Sequence, residues 1–123
     1  MKKLLFTATI GCLASSCIGT TTKTLNPDKE ITYCMRQINR ALLGLQQENG
    51  SYDYTMQPRN IVQKQQVWNC RKATAQEWCS GFWPGILWMG YSATHDSLIR
   101  QQAEGFTSSL SSLIQQPVYD HDL

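Results

Sequence analysis

A dense aromatic block, CSGFWPGILWMGY, runs from Cys79 to Tyr91 and follows directly on Trp78. Large aromatic side chains suit a carbohydrate-binding cavity, because their apolar rings can stack on the C–H faces of sugars. The chain ends in polar residues, His121 and Asp122, that could face such a cavity. The pattern therefore indicates a sugar-binding site, although two polar residues at a chain end are by themselves typical of a solvated tail.

The N-terminus predicts an export signal over residues 1–16. Lys2 and Lys3 precede an apolar run that is too short to span a bilayer, and small residues then lead to Cys17. The segment LASSC resembles a bacterial lipobox, in which Cys17 becomes the lipidated first residue of the mature protein. The alternative is ordinary signal cleavage with Cys17 left as a thiol. We expect a periplasmic or outer-membrane protein, anchored only through Cys17, with residues 17–25 as a tether.

The composition is that of one small globular domain. Of 123 residues, 41% are hydrophobic and 16% are charged, which argues against a low-complexity or collagen-like chain. Without Lys2 and Lys3 the basic residues fall from 11 to nine, equal to the nine acidic residues. A neutral mature chain without a basic cluster gives no electrostatic basis for binding nucleic acid. We therefore exclude a nucleic-acid partner.

Cysteine usage predicts neither a metal site nor a cofactor. If Cys12 leaves with the signal and Cys17 carries lipid, the remaining cysteines are Cys34, Cys70 and Cys79, with neither a CxxC pair nor histidine at metal spacing. Cys70 and Cys79 could form one disulfide. Equally, both could be small buried apolar side chains.

Apolar periodicity predicts three helices and no strand. The first runs from Pro27 to Gln47, with Asn26 as its N-cap and an apolar stripe of Ile31, Met35, Ile38, Leu42 and Leu45. Residues 50–73 lack periodicity and form a long connection, unusual unless it lines a site. A capping box from Thr74 to Glu77 could start only a brief helix.

Two further helices follow as an αα-hairpin. Pro84 fits the first turn of a helix that ends near Thr94. Asp96 then caps the next, whose apolar stripe is Leu98, Phe106, Leu110 and Leu113. These elements predict an all-α fold. A three-helix core has little room for so many tryptophans, so we expect more protein to cover them.

The residues from Trp78 to Asp96, WCSGFWPGILWMGYSATHD, are similar to the pattern W-x-[ST]-G-F-W-P-G-x-L-W-x-x-Y-x-x-T-x-D of the unsaturated glucuronyl hydrolases, glycoside hydrolase family 88. Two further landmarks occur in the family's order. Pro58-Arg59 resembles a Pro-Arg pair of its first long loop. His121-Asp122-Leu123 resembles the start of its His-Asp-Leu-Gly-Phe motif.

The resemblance implies a toroid of six αα-hairpins. Twelve helices of about 12 residues, with connections of about five, need at least about 200 residues. Residues 26–123 are therefore expected to be an incomplete, N-terminal part of that toroid, with about three helices. Family members release a 4,5-unsaturated uronic acid from lyase-derived oligosaccharides by adding water across the vinyl ether, after which the hemiketal falls apart.

The resemblance also assigns residues. Asp122 matches a catalytic carboxyl group, but the second aspartate of the pair, the principal acid/base, has no counterpart in these 123 residues, so this chain alone is expected to be inactive. His121 would orient the substrate, and Trp78 would pack against the unsaturated sugar. Arg59 is either a solvated cation or a contact for the substrate carboxylate. Trp83 and Trp88 are predicted to be core residues rather than site residues.

A different class of function remains open alongside this one. The chain could be a catalytically inactive, small helical lipoprotein that binds sugars or a partner through its aromatic cluster.

Overall fold

The computed structural model describes residues 24–62 and 67–115. The predicted export signal (residues 1–16) and Cys17 lie outside the described residues, as do His121 and Asp122. The described part contains three α-helices and a two-stranded antiparallel sheet.

Helix α1 spans Pro27–Leu45 and begins as its sequence predicts. The side-chain Oδ1 of Asn26 accepts a hydrogen bond from the backbone N–H of Lys29 at 3.2 Å, which satisfies one of the free donors of the first turn. The helix ends two residues before the predicted Gln47. Its buried face consists of Ile38, Ala41, Leu42 and Leu45, whereas Ile31 at the start of the predicted stripe is exposed.

Strands β1 (Met56–Ile61) and β2 (Trp68–Lys72) form an antiparallel hairpin in the segment predicted to be irregular. The register shifts between Pro58 and Asn60, which leaves Arg59 as a bulge residue without a partner on β2. Proline is tolerated here because it lies beside the bulge, in a sheet whose strands are both edges.

The all-α prediction is therefore wrong for residues 56–61 and 68–72. These strands are rich in Gln, Asn, Arg and Lys and show no alternation of apolar and polar residues, so they carry no periodic strand signal. A two-stranded hairpin is marginal alone and needs packing against a helix. Gly44 of α1 provides it, since a Cβ added there would lie only 3.6 Å from the Cys70 Sγ and 3.9 Å from the Trp68 Cβ.

Helices α2 (Phe82–Thr94) and α3 (Ser97–Ser108) confirm the predicted αα-hairpin. The connection has two residues: His95 adopts the left-handed conformation with φ of 56°, and the Asp96 side chain accepts hydrogen bonds from Leu98 and Ile99 N–H groups at 2.8 and 3.4 Å. A short 3₁₀ helix, Ser111–Ile114, follows α3.

The predicted stripe of α3 is wrong at Leu98, which is exposed. The buried positions are Ile99, Ala103 and Phe106, one residue along from the prediction at the start of the helix. Apolar residues occupy both positions 98 and 99, so periodicity alone does not distinguish the two faces.

The core lies between the three helices and the hairpin. It contains nine buried hydrophobic residues, namely Ile38, Ala41, Leu42, Leu45, Trp83, Leu87, Ile99, Ala103 and Phe106. The Tyr54 ring packs edge-on against Phe106, with centroids 5.0 Å apart. The loop before β1 is thereby joined to α3.

None of the helices within residues 24–62 and 67–115 has the length and apolar character needed to cross a bilayer. The predicted lipid anchor at Cys17 lies outside this part of the chain.

Candidate functional site

A groove of about 960 Å³ opens between α1, the start of β1 and one side of α2. Its volume is in the range of small-molecule sites. The groove is lined mainly by apolar and aromatic side chains, among them Ile31, Met35, Ile38, Trp68, Trp78, Phe82, Trp83, Ile86 and Met89. Its polar members include Glu30, Gln37, Gln57, Arg59 and Arg71. The predicted site residue Trp78 and Arg59, for which a substrate contact was one of two alternatives, thus line one cavity.

Trp78 stands on a stretch of tight turns before α2. Successive backbone hydrogen bonds run from Glu77 N–H to the Thr74 carbonyl, from Ser80 to Glu77 and from Phe82 to Cys79, at 3.2, 2.8 and 3.1 Å. The predicted capping box therefore makes turns instead of a helix. The indole of Trp78 is 51% exposed and meets the Phe82 ring edge-on at a centroid distance of 5.5 Å. Its exposure leaves ring surface available to a ligand.

Two buried hydrogen bonds hold this turn segment to the rest of the fold. Ser80 is fully buried, and its Oγ donates to the Ala75 carbonyl at 2.8 Å. The Ser80 carbonyl in turn accepts from Nε2 of Gln57 in β1 at 2.9 Å. The turn that carries Trp78 and the strand that carries Arg59 are thereby fixed relative to each other.

Arg59 is directed by the β-bulge. Its Nη1 donates to the Sγ of Cys79 at 3.2 Å, and within residues 24–62 and 67–115 the guanidinium forms no ion pair. Sulfur is a weak acceptor, so this hydrogen bond can be exchanged for a stronger one to a carboxylate. Arg59 is exposed and therefore accessible to an anionic ligand.

Arg71, the other cation of the groove, is already paired. Its guanidinium contacts both carboxylate oxygens of Glu77, at 2.6 and 3.4 Å, and Glu77 also accepts from the Thr74 N–H at 3.2 Å. The hydrogen bond from Arg71, followed by that from Thr74, lowers the pKa of Glu77 below its ordinary value of 4.5. This pair braces the turn. Arg59 forms no ion pair among the described residues, although its charge also contributes to the lowered pKa of Glu77.

The two tryptophans of the aromatic block, Trp83 and Trp88, are packed, as predicted. Trp83 is buried against Phe106, at a centroid distance of 6.0 Å. Trp88 is half-buried, and its Nε1 donates to Thr107 Oγ1 of α3 at 2.9 Å. Both are packing residues of the hairpin, as expected, although Trp83 also borders the groove.

Sequence reasoning missed part of the groove wall. Trp68 lies on β2, and its indole N–H is buried with no hydrogen-bond partner within the described residues. Phe82, Ile86 and Met89 form an exposed row on α2. Their spacing of four and three residues is typical of one face of a helix and could have been recognised in the sequence. Trp68 could be placed only by knowing the hairpin.

Three cysteines lie within residues 24–62 and 67–115. Cys34, Cys70 and Cys79 are free thiols there, so the suggested Cys70–Cys79 disulfide is not formed. Burial raises the pKa of the Cys70 thiol. Within these ranges no three His, Cys, Asp or Glu side chains come together as a group that could hold a metal ion.

Comparisons with protein-family models, curated proteins and solved structures found no match to this chain. The similarity to glycoside hydrolase family 88 therefore rests on Trp78–Asp96, Pro58-Arg59 and His121–Leu123.

Proposed function

We propose that this chain supplies the sugar-binding wall of a glycoside hydrolase site of the unsaturated glucuronyl hydrolase type. In this proposal the terminal unsaturated uronate of a lyase-derived oligosaccharide lies against Trp78 with its carboxylate on Arg59. The observation that carries the proposal is the presence, in one groove, of an exposed indole and a guanidinium that forms no ion pair within the described residues.

The two residues recognise different parts of the same sugar. An indole offers a flat apolar surface for the C–H face of the ring. A guanidinium matches the planar carboxylate with two parallel N–H donors, which a lysine cannot do. Because Glu77 already occupies Arg71, an incoming carboxylate has Arg59 as its available partner.

The chemistry in this proposal is hydration of the vinyl ether. Asp122 would act in proton transfer, as its match to the family's catalytic carboxyl implies, and His121 would orient the substrate. The second aspartate of the pair has no counterpart in the 123 residues. We therefore expect these residues to bind the unsaturated sugar without turning it over.

A binding role without catalysis is the second candidate. It is favoured by the mainly apolar lining of the groove, which supplies contact surface but few groups able to transfer protons. The two candidates share the Trp78–Arg59 contact and differ in turnover, which is seen as loss of the alkene absorbance of an unsaturated disaccharide.

Calorimetric titration of the purified chain with an unsaturated uronate disaccharide tests the contact. Arg59→Gln should weaken binding by about tenfold or more, since a hydrogen bond to a charged group contributes about 1.5–3 kcal/mol. Trp78→Ala should also weaken binding, because it removes the ring surface on which the sugar packs. Arg40→Gln is the matched control, because Arg40 is exposed on α1 and does not line the groove. Binding that is unchanged in both groove variants would contradict the proposed contact.

A further inference from the structure

The groove presents a row of exposed apolar side chains from two helices. On α2, Phe82, Ile86 and Met89 lie on one face at intervals of four and three residues. On α1, Ile31 and Tyr33 are exposed at the groove wall. Contiguous apolar surface of this kind on a soluble domain marks a protein-contact surface more often than scattered single residues do.

The groove has a charged group at each end. Gly90 of α2 lies beside Met35 and Ile38, since a Cβ there would be 3.2 and 3.0 Å from their side chains. Glu30 lies five residues before Met35, at the start of α1. Arg59 contacts Cys79, beyond the other end of α2. Glu30 and Arg59 thus both line the groove, Glu30 on α1 beyond the contact of Met35 with Gly90 and Arg59 beside Cys79, before the start of α2.

The two charges are opposite, and neither forms an ion pair within residues 24–62 and 67–115. A surface with an acid at one end, a base at the other and apolar residues between them is complementary to itself when it is turned by a two-fold rotation. A two-fold interface brings each residue of a pair against the other in the partner copy.

We infer that the occupant of this groove is a second copy of the chain, packed face to face about a two-fold axis. Glu30 of each copy pairs with Arg59 of the other, and the α2 rows form the apolar centre. Rim charges of this kind fix the register, while the apolar centre provides most of the affinity.

This inference does not rest on the proposed sugar contact, but the two share Arg59. A uronate carboxylate bound to Arg59 removes the partner for Glu30 of the second copy. If both hold, the unsaturated disaccharide shifts the dimer towards monomer, because a ligand that binds only one state draws the equilibrium to it. Dimerisation is measured without sugar, and sugar binding is measured at high dilution. Failure of the dimer proposal can therefore be distinguished from failure of the sugar proposal.

Sedimentation velocity over a concentration series, without sugar, tests the dimer by a charge exchange. Glu30→Arg and Arg59→Glu should each raise the dimer dissociation constant at least tenfold, because each places like charges together. The double variant carrying both should return to within about threefold of the original chain. Circular dichroism confirms that each variant is folded. A chain that stays monomeric at all concentrations, single variants that dimerise normally, or a double variant that remains monomeric would each overturn the inference.

Ile86→Glu tests the apolar centre of the proposed interface. It places a charge at the proposed centre and should abolish the dimer. Leu43→Glu is the matched control, since Leu43 is exposed on α1 outside the groove, and this variant should sediment as the original chain does. If both variants dissociate equally, the interface lies elsewhere and the inference fails.

Discussion

On one side of α2, Trp83, Leu87 and Gly90 are buried; on the adjacent side, Phe82, Ile86 and Met89 are exposed at the groove. Both sets are spaced by four and then three residues, and they differ by a single step along the chain. One residue turns a helix by about 100°, so the two rows point in clearly different directions. A helix with two apolar sides is suited to being covered on both, and among residues 24–62 and 67–115 only the first side is covered.

The two sides of α2 therefore have different roles. The side towards α3 carries stability, through the contacts of Trp83 with Phe106 and of Trp88 with Thr107. Substitutions on the side towards the groove should change the stability of the isolated chain little, and this side is available to contact a ligand or a partner.

A comparison of Leu87→Ala with Met89→Ala measures directly how much each side of α2 contributes to stability. Leu87 is 0% exposed, and removing its side chain should lower the free energy of unfolding by about 2–5 kcal/mol. Met89 is 74% exposed, and its substitution should change that free energy by about 0.5 kcal/mol or less at protein concentrations where the chain is monomeric. Urea unfolding gives both values. Equal losses would remove the distinction between the two sides.

Gly105→Ala tests how tightly the α3 side is packed. A Cβ at Gly105 would overlap the Tyr54 ring, which is itself held edge-on against Phe106, so the ring must move. We expect a loss of about 1–3 kcal/mol, partly offset by the better helix propensity of alanine.

Gly85→Ala is the control for that substitution. Gly85 lies within α2, and a Cβ there meets nothing within 4 Å. This variant should gain up to about 1 kcal/mol from helix propensity. Thermal or urea unfolding measures the stability of both variants. A Gly105→Ala variant as stable as the original chain would show that the Tyr54 ring is only loosely packed against Phe106.

Glu77→Gln gives the smallest effect and concerns the groove side. The folded-state pKa of Glu77 is lowered, so its ion pair with Arg71 stabilises the fold at pH values above the ordinary 4.5. That contribution is lost as the pH falls through the lowered folded-state value. The stability difference between the original chain and Glu77→Gln should therefore be greatest near neutral pH and shrink in acid. A difference that is constant with pH would contradict the ion-pair account.

Local signals predicted the helix starts well. The Asn26 and Asp96 caps and the αα-hairpin depend on hydrogen bonds between near neighbours, which the sequence displays directly. The β-hairpin was missed because its pairing is non-local and its strands are polar. The bulge at Arg59 was missed with it, although the nearby Pro58 is compatible with such an irregularity.

Where two neighbouring helix residues are both apolar, it was harder to predict which of them is buried. Leu98 was assigned to the core in place of Ile99, and the exposed row on α2 was not separated from the buried one. In both cases tertiary packing selects between adjacent residues of equal hydrophobicity. Trp78 and Trp83 were distinguished correctly in burial, and the sugar contact of Trp78 stays a prediction.

The most direct test of the Trp78 assignment uses the four tryptophan indole N–H signals, from Trp68, Trp78, Trp83 and Trp88, in a ¹⁵N-labelled chain. Each signal is assigned by substitution, and the unsaturated disaccharide is then added until no further change occurs. The account predicts that the Trp78 signal shifts most, while that of Trp88, hydrogen-bonded to Thr107, stays in place. A Trp78 signal that does not move, or a larger shift at Trp88, would contradict it.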